Sequence, residues 1–255
     1  MIKIIISGCN GFMGKVLTEL CAADEQVTVV AGVDRYTEKL SDYPVYADIF
    51  EFTGEADCIL DFSSPASMDS LLPYCVEKGV RLVVGTTGHS DEQLAAIKAA
   101  SEKVGIFKSG NMSLGINLML ELVKKAASVF GVNYDVEIIE KHHRRKVDAP
   151  SGTAIMLADA VNEALPYDAE YVYERNSVRQ PRGDKEIGIS SLRGGTIVGE
   201  HDVVFAGRDE VLTISHQAFS REVFAVGAVR AGKFMAGITE PGIYDMSDLL
   251  SEVLK

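Results

Sequence analysis

The sequence predicts a two-part chain. An α/β part, a mostly parallel sheet with helices on both faces, is expected over residues 1–113 and 222–255. An α+β part with a mixed or antiparallel sheet is expected over residues 114–221. Three observations carry this. Short apolar runs alternate with helical patterns through the first ~110 residues, the pattern of repeated strand–helix–strand units. Three strand-like segments (186–192, 196–206 and 211–217) then follow one another with glycine turns and no helix to cross between them, which favours an antiparallel or mixed sheet. After Phe219 the pattern returns to helix, and this tail is expected to rejoin the first part.

Each element has its own signal. "IKIIIS" (2–7) is a continuous apolar run closing on Gly8, a buried strand. Residues 14–23 read as a helix. "VTVVAGV" (27–33) is β-branched and ends at Asp34. "CILDFS" (58–63) is a third strand, 66–78 a helix, and "RLVVGTTG" (81–88) a strand running into a glycine-threonine turn. Ser90 reads as an N-cap, with Asp91 and Glu92 in the first turn where the helix dipole favours acids, and this helix is expected to reach about Val104. "LGINLMLELVKKAASVF" (114–130) is a long amphipathic helix, and "YDVEIIEKHH" (134–143) alternates as a strand. Helices follow at 154–164, at 221–232 and, capped by Ser247, up to residue 254.

Composition narrows the function. Against 25 Lys+Arg stand 37 Asp+Glu, a net charge of −12, which argues against general affinity for nucleic acid or anionic membranes. No apolar run reaches the ~20 residues of a membrane span, and the opening "MIKIIISG" lacks a signal-peptide core and cleavage site. The expected location is cytoplasmic. Cys9, Cys21, Cys58 and Cys75 show no C-x-x-C spacing, so they read as thiols in a reducing compartment rather than metal ligands.

Gly8, Gly11 and Gly14 form a G-x-x-G-x-x-G loop (Gly8-Cys-Asn10-Gly11-Phe12-Met13-Gly14) between the first strand and the first helix. There, glycines permit a tight turn and let backbone approach a pyrophosphate, while the helix N-terminus supplies amide donors. Asp34, 20 residues beyond Gly14 at the end of the second strand, stands where an acid takes the ribose hydroxyls of NAD. Arg35 reads either as a surface arginine or as a partner for the 2′-phosphate of NADP.

The other prominent stretch is Glu140–Ala154, "EKHHRRKVDAPSGTA". Its residues 141–146 carry four positive charges and two histidines. A nucleic-acid patch lacks interleaved aromatics and sits in an acidic chain. A zinc site lacks a Cys or H-E-x-x-H partner, so no metal is expected. A solvated charged loop stays open. The reading with chemical content is an anion pocket containing an acid. Lysine holds a carboxylate as a point charge, histidine donates a proton near neutral pH, and Ser151, Gly152 and Thr153 stand at a helix N-terminus with hydroxyl and amide donors. Such a set suits a small substrate with more than one carboxylate.

This stretch resembles the signature of the 4-hydroxy-tetrahydrodipicolinate reductase (dihydrodipicolinate reductase) family. "GCNGFMG", "DFSSP", "VVGTTG", "NMSLGIN", "RGGTIVGEH" and "GIYDMSDLL" resemble it too, in order and spacing along nearly the whole chain. The resemblance implies a Rossmann dinucleotide-binding domain, a substrate-binding and oligomerisation domain, NADH or NADPH as cofactor, and a homotetramer. It implies His142 as general acid, Lys146 as a substrate ligand and second acid, His143 as a substrate ligand, and Gly152 and Thr153 as donors to a substrate carboxylate. Gly8–Met13 would hold the pyrophosphate and Asp34 the ribose. Gly85, Thr86 and Thr87, with Ser109, Gly110, Asn111 and Met112, would flank the nicotinamide. The chain departs from the family pattern at Met112, where an aromatic residue is common, and at Asp34-Arg35, where some members have Glu-Arg. The alternative reading is another two-domain NAD(P)-linked amino-acid or semialdehyde dehydrogenase.

Overall fold

The computed structural model describes residues 1–253. The chain forms two compact units, Met1–Ser113 with the segment from Glu222 onward, and Leu114–Arg221.

The first unit contains strands β1 (Ile2–Ser7), β2 (Val27–Val33), β3 (Val45–Tyr46), β4 (Cys58–Asp61), β5 (Arg81–Val84) and β6 (Gly105–Lys108), with helices α1 (Phe12–Ala22), α2 (Met68–Lys78) and α3 (Asp91–Ser101) between them. The second unit runs α4 (Leu114–Phe130), β7 (Asp135–His142), α5 (Gly152–Ala164), β8 (Glu170–Val172), β9 (Glu186–Arg193), β10 (Gly199–Ala206) and β11 (Val211–Ala218). The chain then returns to the first unit with α6 (Glu222–Ala236), β12 (Gly242–Tyr244) and α7 (Met246–Val253).

The first sheet is parallel throughout, in the order β12-β6-β5-β4-β1-β2-β3. Its central strands are apolar on both sides because both faces are covered. Ile5, Ile59 and Leu82 pack with Leu71, Leu72 and Cys75 of α2 and Ile97 of α3. On the other face α6 comes so close that a Cβ at Gly232 would lie 2.9 Å from Leu60 Cδ2. Successive strand residues thus serve opposite faces. Strand order reverses direction at β1, between β2 and β4. At such a point the loops leaving the strands part and form a crevice for a nucleotide.

The second sheet is mixed, in the order β11-β10-β7-β9-β8. β7 is parallel to β9 and antiparallel to β10. Val136 and Ile138, with Ile187, Ile189, Val203 and Phe205, turn one face toward Met119 and Val123 of α4 and Leu157 and Val161 of α5. Alternation along β7 sends Lys141 to the opposite face, where its ammonium pairs with Glu200 (3.1 Å) and Asp202 (3.3 Å).

Several boundaries differ from expectation for physical reasons. α1 starts at Phe12, directly after an extended Gly11, rather than at Gly14. β4 and β5 stop at Asp61 and Val84 because the Gly85 and Thr86 amides turn to the Asp61 carbonyl (2.9 and 3.0 Å), freeing both strand ends as loops. Residues 65–67 form a 3-10 turn before α2. α3 starts at the Ser90 N-cap that the sequence suggested, with Gln93 completing a capping box, but it ends at Ser101. The strand expected from 196 begins at Gly199. The cap of α7 is Asp245, whose Oδ1 accepts from the Ser247 amide at 2.7 Å and from its hydroxyl at 2.6 Å; its expected end at 254 lies outside the described residues. β3, β6, β8 and β12 were not foreseen. They have two to four residues each, too few for a period-2 signal.

Candidate active site

At the switch point, the loop after β1 is shaped by its glycines. Gly8 lies at φ +80°, and a Cβ there would fall 2.4 Å from the Phe62 carbonyl oxygen. A Cβ at Gly14 would fall 2.1 Å from the Gly8 carbonyl oxygen. Glycine is therefore required at both positions, for backbone conformation and close approach at Gly8 and for close approach at Gly14. The Gly11 amide closes the turn on the Gly8 carbonyl at 3.1 Å. Asn10 and Met13 are half-buried, Phe12 is exposed, and no acidic residue enters the first turn of α1. This is a cradle that a side chain would fill and that an anion fits. Asp34 sits beside it: one carboxylate oxygen accepts from the Asn10 amide (3.0 Å), the other from the Tyr36 amide (3.1 Å). Arg35 follows on the exposed surface.

The same unit holds a cavity of about 440 Å³. Gly85, Thr86 and Thr87 line it, as do Ser109, Gly110, Asn111 and Met112, so the two segments read from sequence meet here. Phe62, His89, Lys108 and Phe224 are also among its lining residues. Gly85 lies against the Phe62 ring, where a Cβ would come within 2.3 Å. A Cβ at Gly227 of α6 would strike the Met112 carbonyl, so that helix seats the wall. Asp61, which ends β4 just before Phe62, is fully buried and accepts from the hydroxyls of Ser63 (2.5 Å) and Ser67 (3.2 Å). Burial raises its pKa, and the surrounding hydroxyls oppose that rise. The His89 Nε2 is buried without a hydrogen-bond partner among the described residues; burial, then the charge of Lys108, lowers its pKa.

In the second unit, His142 ends β7 and is almost fully buried. Its Nδ1 lies 2.6 Å from Glu140 Oε2, a contact set by the strand period, which puts residues two apart on one face. Arg193, at the end of β9, donates to both Glu140 oxygens at 2.7 and 2.6 Å. Burial lowers the His142 pKa; Glu140 opposes that, and the charges of Lys146 and Arg193 add to it. The His201 ring stands edge-on to His142, with centroids 5.1 Å apart. Burial drives its pKa down to about 4.

The loop from His143 to Ser151 returns to the same place. Ser151 caps α5 by accepting from the Ala154 amide at 3.2 Å, and its own amide donates to Glu140 Oε1 at 3.1 Å. Gly152 and Thr153 are the first residues of α5, and a Cβ at Gly152 would meet open space. Lys146 pairs with Asp148 at 2.9 Å, close enough for its charge to reach His142. His143 is half-buried, its Nδ1 without a partner among the described residues. Arg144 and Arg145 are exposed.

Comparison with known proteins decides the family. The model "Dihydrodipicolinate reductase, N-terminus" matches residues 2–112, and "Dihydrodipicolinate reductase, C-terminus" matches residues 115–250. The chain belongs to the dihydrodipicolinate reductase family. It is accordingly an NAD(P)H-dependent oxidoreductase of lysine and diaminopimelate biosynthesis. The chain is 51% identical over 252 residues (99% of each chain) to the 4-hydroxy-tetrahydrodipicolinate reductase of Caldanaerobacter subterraneus subsp. tengcongensis. It is 46% identical over 251 residues (98% of each) to that of Clostridium tetani. The solved dipicolinate-bound dihydrodipicolinate reductase from Paenisporosarcina sp. TG-14 superposes with TM-score 0.80 at 26% identity, covering 96% of this chain and 97% of that one.

Within this reductase framework, some site-building residues were not singled out from sequence: Glu140, Arg193 and His201 in the second unit, and Phe62, His89, Lys108 and Phe224 in the first. Signals for the first three existed. Glu140 shares a strand face with His142, and Arg193 and His201 bracket the "RGGTIVGEH" motif. Among the described residues no helix is long and apolar enough to cross a membrane.

Proposed function

We propose that this reductase converts 4-hydroxy-tetrahydrodipicolinate, or its dehydrated ring dihydrodipicolinate, into tetrahydrodipicolinate. The first unit serves as the dinucleotide-binding domain and the second as the substrate domain. The observation that carries this reading is the convergence on Glu140: His142 Nδ1 and the first donor of the Ser151-Gly152-Thr153 helix terminus bind one carboxylate, with Lys146 alongside. An acid and an anion site are thereby held together, as a dicarboxylate ring that must be protonated requires.

The residues present fit a dinucleotide. Gly8, Asn10, Gly11, Phe12, Met13 and Gly14 would hold its pyrophosphate against the α1 N-terminus. Asp34 would take the ribose hydroxyls and Arg35 a 2′-phosphate. Gly85–Thr87 and Ser109–Met112 would enclose the nicotinamide, with Met112 supplying apolar wall where other members place an aromatic ring. When bound, the reduced nicotinamide supplies a hydride. Lys146, His143 and the amides of Gly152 and Thr153 would hold the substrate carboxylates, and these cations and dipoles favour electron flow into the conjugated ring. His142 would then give one proton to the ring carbon. Hydride plus proton completes the two-electron reduction, with water lost when the hydroxylated ring is the starting point. The resting histidine has a lowered pKa, set first by burial, and the arriving carboxylates would oppose that and favour the charged acid.

The enzyme is read as cytoplasmic and homotetrameric, the open face of the second sheet being buried between copies. Neither nucleic acid nor membrane is expected as a partner. The test is kinetic: wild type, His142→Gln and Lys146→Met with enzymatically generated substrate over pH 6–9. His142→Gln is expected to cut turnover by about 10²–10⁴-fold and Lys146→Met to raise the Michaelis constant, with cofactor affinity unchanged in both. Near-normal turnover and an unchanged pH profile in His142→Gln would remove the general-acid assignment.

A further inference from the structure

Glu140 is wholly excluded from water, and neither cofactor binding nor substrate capture as described needs a carboxylate there. We infer that Glu140, locked by Arg193, is a positioning residue for His142: it fixes the histidine proton on Nδ1, leaves Nε2 as the nitrogen that delivers the reacting proton, and ties the ring to the substrate-binding terminus of α5. This rests on the reading of His142 as the general acid.

The contacts fix which atoms donate to the carboxylate. Oε1 receives the Ser151 amide (3.1 Å) and Arg193 Nη2 (2.6 Å), while Oε2 receives His142 Nδ1 (2.6 Å) and Arg193 Nη1 (2.7 Å). A carboxylate has about four acceptor positions and no donor. An ionised Glu140 therefore demands the proton on Nδ1 in neutral His142. Burial alone would raise its pKa, but hydrogen bonds from Arg193, His142 and Ser191 bring it down to about 2, so it stays charged at working pH. The paired guanidinium matters because a lone buried carboxylate would take up a proton instead.

The surroundings leave Nε2 as the working atom. A Cβ at Gly199 would stand 3.1 Å from Nε2, so the glycine keeps that side of the ring open. The His201 ring walls off another side, its own Nε2 held 3.1 Å from the Ser151 hydroxyl. The charged and titratable groups that face His142 are Glu140 on its own strand, Arg193 from β9, His201 from β10, and Lys146 with its partner Asp148 from the loop. Glu140 favours the imidazolium, whereas Lys146 and Arg193 disfavour it. Removing the Glu140 charge therefore moves the His142 titration to lower pH and starves the reaction of acid near neutrality.

A purely structural Glu140–Arg193 pair would also lose stability on mutation, so the test must read the histidine itself. Imidazole nitrogen NMR on the ¹⁵N-labelled full chain reports the tautomer and titration of His142, assigned by its loss in His142→Gln. Wild type is expected to carry the proton on Nδ1, and a proton on Nε2 in the wild type overturns the inference without any variant. Glu140→Gln keeps the side chain's size and an acceptor but removes the charge; Arg193→Lys keeps a charge but loses the two-pronged contact. In folded Glu140→Gln the His142 titration should move to lower pH, whereas in Arg193→Lys, which leaves the Glu140 charge in place, it should not. Turnover near neutral pH should fall on the order of tenfold, short of the 10²–10⁴-fold loss expected on removing the acid itself. The Michaelis constants should stay within about threefold. An unchanged His142 tautomer and titration in folded Glu140→Gln, or an equal downward move in Arg193→Lys, overturns the inference. A wild type that shows these NMR properties yet does not reduce the ring contradicts the proposed function and leaves the positioning role standing.

Discussion

Replacing Gly14 with alanine should damage cofactor binding through sterics alone. Gly14 is buried inside α1 and has no left-handed backbone angle, so alanine meets no conformational penalty there and even has the better helix propensity. The obstacle is the Gly8 carbonyl oxygen, 2.1 Å from where the new Cβ would stand, with two Cys9 backbone atoms at 2.6 Å. All three are backbone atoms and cannot rotate away. Ordinary contact begins near 3.4 Å, so the loop must move by about 1 Å or more, and the Gly11–Gly8 hydrogen bond at 3.1 Å moves with it. Overpacking of this kind costs about 1–3 kcal/mol. For a chain of this size that corresponds to a fall in Tm of roughly 2–12 °C, at ~2–4 °C per kcal/mol. The displaced loop is also the one that should grip pyrophosphate, so NADH affinity should fall about tenfold or more, each tenfold being ~1.4 kcal/mol. Differential scanning fluorimetry and a fluorescence titration with NADH measure the two effects. An alanine variant with wild-type Tm and wild-type NADH affinity would refute both the close packing and the cofactor role of the loop.

Arg35→Ala should weaken NADPH more than NADH, since only the former carries a 2′-phosphate; equal losses in kcat/KM would show that Arg35 does not see that group. Stability should fall as pH drops from about 6.5 toward 4. His201 has a folded pKa of about 4 against an unfolded value near 6.5, so the unfolded chain binds the extra proton throughout that window and stability rises with pH across it. His201→Asn should flatten the Tm–pH slope there, and an unchanged slope would remove the histidine from the account. Light scattering at micromolar concentration should give a tetramer mass, and a monomer mass would contradict the burial of the open sheet face between copies.

Much of the architecture was legible because its signals are local. Ile4–Ile6 are apolar and fully buried, as the middle of a strand covered on both faces must be, and the Ser90 cap with Gln93 three residues on marks the start of α3 without tertiary help. What stayed hidden depends on contacts far apart in sequence. β12 exists only through three pairs with β6, more than 130 residues earlier. The ends of β4 and β5 are set by amides that turn to the Asp61 carbonyl. The cationic stretch pointed to chemistry, but sequence could not sort its members. The structure sends Lys141 to acids on the far face of the sheet, leaves Arg144 and Arg145 in solvent, and brings in the uncounted carboxylate of Glu140. That residue was visible two positions before His142; its meaning required Arg193 from another strand.

The most direct test of the central claim is the oxidation of reduced cofactor by the purified protein, followed by absorbance, with dihydrodipicolinate generated in the cuvette by the condensing enzyme that makes it. Oxidation of NADH or NADPH is expected only once that substrate is formed, one cofactor consumed per ring reduced, and it should be slowed about 10²–10⁴-fold in His142→Gln. No oxidation of either cofactor above the substrate-free rate, with the wild-type protein folded and binding NADH, would contradict the account.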